Sequence, residues 1–138
     1  MIELFILPTK TFGATEVNRL AHILESGVNT HLRVLSASGH AIPNESLFLL
    51  GKAIAMSSSS KMNTNDTTST NTSGLTSLAI GDNSMGPTGG IQALFNGIAE
   101  GGGSTQLEDI DLSWKGMYVS KNVYIMNLFV INSFRYCY

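Results

Sequence analysis

Charge is scarce in this chain. Asp, Glu, Lys and Arg make up 13% of its 138 residues, against a usual share of about 25%. The net charge of −2 leaves no basic footprint, which argues against nucleic acid as a partner. Cysteine is reduced to one residue, Cys137. No internal disulfide can form, and nothing marks an oxidising compartment. Cys137 also lacks a nearby His or Glu in sequence, so it does not read as a nucleophile. Long hydrophobic runs are missing too. The longest late one, 123–131, is nine residues interrupted by Asn127, whereas a spanning helix needs about twenty. The opening "MIELFILPTK" has no basic residues ahead of its apolar run, and that run breaks at Pro8, unlike a secretion leader. These absences lean towards a cytoplasmic location with no membrane contact. What remains is a chain of one-domain length whose apolar fraction of 43% suffices for a core.

That apolar content is arranged in two periods that recur in step. The motif apolar-x-x-apolar-x-apolar-x-x-x-x-apolar fits Leu75, Leu78, Ile80, Met85; then Leu107, Ile110, Leu112, Met117; and Leu32, Leu35, Ala37, Ile42. Ile2, Phe5, Leu7, Phe12 fit it more loosely. About fifteen residues after each of the first three starts comes a stripe of 3.6-residue period: Val17/Leu20/Ala21/Leu24, Leu47/Leu50/Gly51/Ile54 and Ile91/Leu94/Phe95/Ile98. The predicted first helix covers about 15–26, with Thr15 as a candidate cap, Glu16 in the first turn and Gly27 as the terminating glycine. The second begins near Pro43 and Asn44 and fades near Met56. Gly86, Pro87, Gly89 and Gly90 turn the chain into the third, which 101–103 end. Starts fall at 2, 32, 75 and 107, giving steps of 30, 43 and 32. Residues 57–73 account for the long step. Fourteen of these seventeen are Ser, Thr or Asn, a composition that cannot offset its ordering entropy and predicts a disordered insertion.

These residues resemble the leucine-rich repeat family. Its strand-and-turn motif is carried in full by Leu75, Leu78, Ile80, Asn83 and Met85. The helical second half and the length near thirty are similar to the ribonuclease-inhibitor-like subfamily. The resemblance spans roughly 2–117, and its asparagine position is Lys10, His40 and Lys115 in the other repeats. It implies an α/β solenoid, with a right-handed β-α superhelix, parallel strands on the concave face and helices on the convex face. The residues themselves agree: strand–helix–strand connections of this length favour parallel pairing, and about three or more stacked repeats are needed to bury the apolar faces. The expected organisation is a repeat array over 1–117 and a tail over 118–138. That tail either continues the helical stripe at Ile125, Met126 and Phe129 or forms a strand, and its break in composition leaves a cap or a non-native end open. No polar cap precedes the first strand, which reads as a fragment of a longer array or an end that a partner covers.

A repeat protein usually binds rather than catalyses. Residues alternating with the inward leucines lie on the concave face: Leu4, Ile6 and Pro8; Val34, Ser36 and Ser38; Ser77, Ala79 and Gly81, with Asp82; and Asp109, Asp111 and Ser113, with Trp114 at the strand exit. Trp114 is the best anchor candidate, with packing on the neighbouring loop or the C-terminal tail as the competing reading. Asp109 and Asp111 lie about 7 Å apart on one face by strand geometry and suit a basic partner or a metal, or are a solvated strand face. His22, His31 and His40 share no spacing that would direct three rings at one ion, and His40 reads as a turn hydrogen-bonder. "EGGGST" over 100–105 follows a helix and opens a strand, the reverse of a phosphate cradle. Asn44, Asn65 and Asn71 match the glycosylation pattern, two of them within a tract of Asn, Ser and Thr, and are discounted without a secretion signal. The leading expectation is a protein-binding module with a protein partner on Asp109, Asp111, Ser113 and Trp114, and without catalytic residues, cofactor or metal. A structural spacer within a larger receptor or scaffold is the alternative. An α/β enzyme is the third, motivated only by alternating strands and helices.

Overall fold

The computed structural model describes residues 1–29, 31–59, 74–81, 89–103 and 105–112, together with the backbone of Ser133–Arg135. Strands and helices alternate: β1 (Ile2–Phe5), α1 (Ala14–Glu25), β2 (Leu32–Ser36), α2 (Asn44–Ser59), β3 (Ser77–Ala79), α3 (Gly90–Glu100), β4 (Asp109–Asp111) and β5 (Ser133–Arg135). The strands form one sheet in chain order, β1-β2-β3-β4-β5, and every pair is parallel. The architecture is therefore α/β with a parallel sheet and a helical layer.

The predicted apolar positions are the ones that meet. Leu35 partners Leu78, and Leu78 partners Ile110. All three are fully buried, as are Ala37, Ile80 and Leu112 two positions further along. The helical stripes close the core from the other side: Val17, Ala21, Leu24, Leu47, Leu50, Ile54, Leu94, Phe95 and Ile98 are buried, with Leu20 and Ile91 packed against them. The ladder runs on past the strands, with Ala37 N–H donating to Ala79 O, Ile80 N–H to Asp111 O and Gly39 N–H to Gly81 O. Backbone groups beyond the assigned strand ends are thereby satisfied.

β1 departs from the expected register. Its pairing with β2 shifts between Ile2 and Glu3, after which Leu4 partners Leu35 and Phe5 partners Ser36. Leu4 and Ile6 pack against the core, while Phe5 and Leu7 are exposed. The loose first motif had placed Phe5 and Leu7 inward and Leu4 and Ile6 outward. Because side chains alternate, a slip of one residue reverses the whole strand.

The helix ends have local causes. α1 starts at Ala14, with Gly13 rather than Thr15 at the cap position. The Glu16 carboxylate accepts from Gly13 N–H at 2.9 Å, which moves the start ahead of Thr15. Gly27, at φ 68°, follows the last turn as expected. α2 continues through Ser59 instead of fading near Met56, so 57–59 belong to a helix. Ser57 and Ser58 hydroxyls both donate to Ile54 O, at 2.8 and 3.0 Å, keeping their polar groups occupied inside the helix. The rest of the expected insertion, 60–73, lies outside the described residues. α3 closes with a Schellman arrangement, Gly103 N–H to Ile98 O and Gly102 N–H to Ala99 O, in agreement with the glycine run read as a helix stop. Of the expected tail, only Ser133–Arg135 is described, and it pairs with β4.

α2 and α3 approach closely because glycine faces backbone. A Cβ on Gly51 would overlap the Leu94 carbonyl, and one on Gly97 would overlap the Phe48 carbonyl. Beside this contact, Lys52 Nζ lies 2.8 Å from Glu100 Oε1. The bond to Glu100 raises the Lys52 pKa.

Candidate functional site

The sheet face opposite the helices is built from two rows of positions set by register. One is Glu3–Val34–Ser77–Asp109–Ser133, and the other is Phe5–Ser36–Ala79–Asp111–Arg135. Both follow from the two-residue period: once Leu35, Leu78 and Ile110 point inward, their neighbours point outward. The centre of the face is made of small side chains, Ser36, Ser77 and Ala79, with Val34. Its β1 side is apolar at Phe5, and its β4 side carries Asp109 and Asp111.

Asp109 and Asp111 occupy the outward positions of β4, half-buried, on either side of the buried Ile110. Ser113 and Trp114 lie outside the described residues, as do Asp82, Asn83, Met85 and Met117. Arg135 is brought to the register position beside Asp111, a juxtaposition that sequence spacing alone did not predict. Ser36, Val34, Ser77 and Ala79 fall on the outward face as expected, whereas Leu4 and Ile6 give way there to Phe5 and Leu7. The signal for β1 was present in Glu3: the alternate set Glu3, Phe5, Leu7 contains a charge, and Ile2, Leu4, Ile6 does not.

The histidines do not converge. His22 is exposed on α1, its Nδ1 3.9 Å from Glu25 Oε2, and His31 is exposed just before β2. His40 is buried, with Nε2 3.3 Å from Ile6 O and its ring edge-on to Phe12 at 5.6 Å. Its bond therefore reaches across to the segment after β1 rather than staying within its own turn. Among the described residues, no group of three His, Cys, Asp or Glu is placed to hold a metal ion, and no helix is long and apolar enough to cross a membrane. Arg33 serves the frame: Nη1 donates to Leu32 O and to Gly74 O, each at 3.2 Å. It ties β2 to the segment that leads into β3.

No family model, curated protein or solved structure matches this chain.

Proposed function

We propose that the chain is a protein-binding module, a short solenoid of leucine-rich-repeat type that holds a protein partner on the outward, concave face of its strands. The observation that carries this reading is the pattern of contact among the described elements. β1 meets β2, β2 meets β3 and so on, α1 meets α2, α2 meets α3, and no element packs extensively on one further away. Such neighbour-only packing is what stacked repeats produce, and the aligned row Leu35, Leu78, Ile110 agrees with it. A face floored by Ser36, Ser77 and Ala79 lets a partner approach the strands, while Asp109 and Asp111 supply directional polar groups. Trp114, just beyond β4, is the anchoring aromatic.

The test is binding of an identified, purified partner to the wild-type chain and to Asp111→Asn and Trp114→Ala variants, by calorimetry. Each substitution should weaken binding by about tenfold or more, the scale of losing one anchoring contact. Unchanged affinity in both variants would remove the proposal. The reading as a structural spacer is favoured by one specific observation, the exposed apolar residues Phe5 and Leu7. In that case both variants would leave every interaction of the chain intact.

A further inference from the structure

Asn96 is the only asparagine in the chain that is followed by glycine. That pairing has its own chemistry. A glycine nitrogen has no adjoining side chain to keep it from the asparagine amide carbon. In a pliable chain the two atoms meet and close a five-membered imide ring. Here Asn96 is exposed on α3, and Gly97 is buried behind it. The pair therefore sits where the solvent side of α3 turns into its contact with α2.

The folded helix withholds the reacting groups from each other. α-Helical bonding commits the Gly97 N–H to the carbonyl four residues back. Gln92 Nε2 donates to Asn96 Oδ1 at 2.7 Å, which keeps the carboxamide over the preceding turn. On the buried side, the Phe48 carbonyl and the Lys52 nitrogen lie so close to Gly97 that no Cβ fits. That leaves no room for the backbone rotation that ring closure requires. All three restraints end when α3 opens.

We propose that Asn96 is a site of spontaneous modification, shielded while α3 is packed on α2 and open to reaction whenever α3 opens. In the open state the Gly97 nitrogen loses its proton to solvent base and bonds to the Asn96 side-chain carbonyl carbon. The bond to the side-chain nitrogen breaks, and ammonia leaves with a proton from solvent. Water then adds to either carbonyl of the imide and breaks that carbonyl's bond to nitrogen. The net change is water in and ammonia out, with no redox step. One product is aspartate. The other is isoaspartate, in which the main chain runs through the former side chain. Both weaken α3. Aspartate at 96 puts a second acid four residues before Glu100, towards the end of α3 that the helix dipole makes negative. Isoaspartate lengthens the main chain by one atom, so Gly97 and Gly101 no longer fall opposite the Phe48 and Lys52 carbonyls, where only glycine fits. The change is irreversible and accumulates with each opening of the α2–α3 joint. The outward sheet face takes no part, so the inference does not depend on the function proposed above.

The test is incubation of the full chain in mildly alkaline buffer, with and without denaturing urea. Peptide mass spectrometry follows amide-to-acid conversion at each asparagine, and enzymatic methylation counts isoaspartate. In urea, position 96 should convert before every other asparagine. Gly97→Ala should slow that conversion by about tenfold or more, because a Cβ hinders ring closure, and folding has no part in this comparison. In native buffer, conversion at 96 should be slower than in urea by about a hundredfold or more, the protection that a packed helix gives. It should rise through sub-denaturing urea in step with hydrogen exchange of the α3 amides. The isoaspartate fraction, separated by chromatography, should exchange its α3 amides faster than the unmodified chain. Equal rates in native buffer and in urea, faster conversion at another asparagine in urea, or an isoaspartate fraction with α3 protection intact would overturn the proposal.

Discussion

Gly97 and Gly51 let α2 and α3 come close enough that the backbone of each helix occupies the space a side chain on the other would need. In sequence, Gly51 falls on an apolar stripe and reads as a weak member of it. In the structure it is a requirement, since a Cβ there would overlap the Leu94 carbonyl, as one on Gly97 would overlap Phe48. Carbonyl backbone cannot turn aside as a flexible side chain can, so Gly97→Ala must push the helices apart. The helix-propensity gain of about 1 kcal/mol is outweighed by overpacking and by loosened contacts of Leu50, Ile54, Leu94 and Ile98. A net destabilisation of about 1–3 kcal/mol is expected, read from urea unfolding; a neutral or stabilising Gly97→Ala would refute the close approach. His40 shows the opposite case. Its sequence context indicated a hydrogen-bonding role in a turn, but the acceptor, Ile6 O, is 34 residues away, beyond what local spacing can specify.

At the scale of elements, most of the fold was legible. The 3.6-residue stripes marked the three described helices, and the motif leucines marked β2, β3 and β4 with their inward faces, because burial against a helical layer imposes both periods. Less legible were boundaries and the first strand. α2 outlasts its apolar stripe because Ser57 and Ser58 bond back to Ile54 O, a contact that composition does not announce. β1 carries large apolar residues on both faces, so Glu3 was its one register signal; the motif match outweighed it, and the pairing with β2 shows Glu3 pointing the right way. The start of α1 depends on Glu16, which makes a pH prediction. Its pKa lies below the ordinary value of 4.5, chiefly through the Gly13 N–H, then its own N–H; desolvation opposes them, and Arg19 adds a lesser lowering. A carboxylate whose folded pKa is depressed contributes stability that is fully present above the unfolded value and lost as pH falls through the folded value. Glu16→Gln should therefore be less stable than wild type near neutral pH. The gap should begin to narrow as pH falls below about 4.5, where the unfolded chain takes up the proton, and close below the folded pKa, where both side chains are uncharged acceptors for Gly13 N–H. Unfolding curves at a series of pH values measure this, and a gap independent of pH would show that the cap does not need its charge.

For the whole molecule, the outward positions Asp109 and Asp111 were readable from alternation, whereas the placement of Arg135 beside Asp111 depends on a strand 24 positions further on, a separation no local pattern encodes. Whether the molecule behaves as a repeat array is a question of how energy is distributed. In a compact domain every element supports the others, but here each described strand meets only the strands beside it in chain order, and each described helix only the next helix. Leu4, Leu35, Leu78 and Ile110 form one row across the sheet, yet they do not carry equal weight. Leu78 is fully buried with a neighbour on each side, whereas Leu4 is partly buried at the open edge. Leu78→Ala should cost about 2–5 kcal/mol, and Leu4→Ala clearly less, because its layer already faces solvent on one side. If stability is a sum of units and their interfaces, Leu78→Ala also weakens the link between the two halves. Its unfolding should then become less cooperative, with hydrogen exchange in β1 and α1 separating from exchange in α3 and β4. A single sharp transition with an unchanged denaturant slope, and uniform loss of protection throughout, would instead mean one indivisible core. The chain would then be an ordinary α/β domain rather than a solenoid.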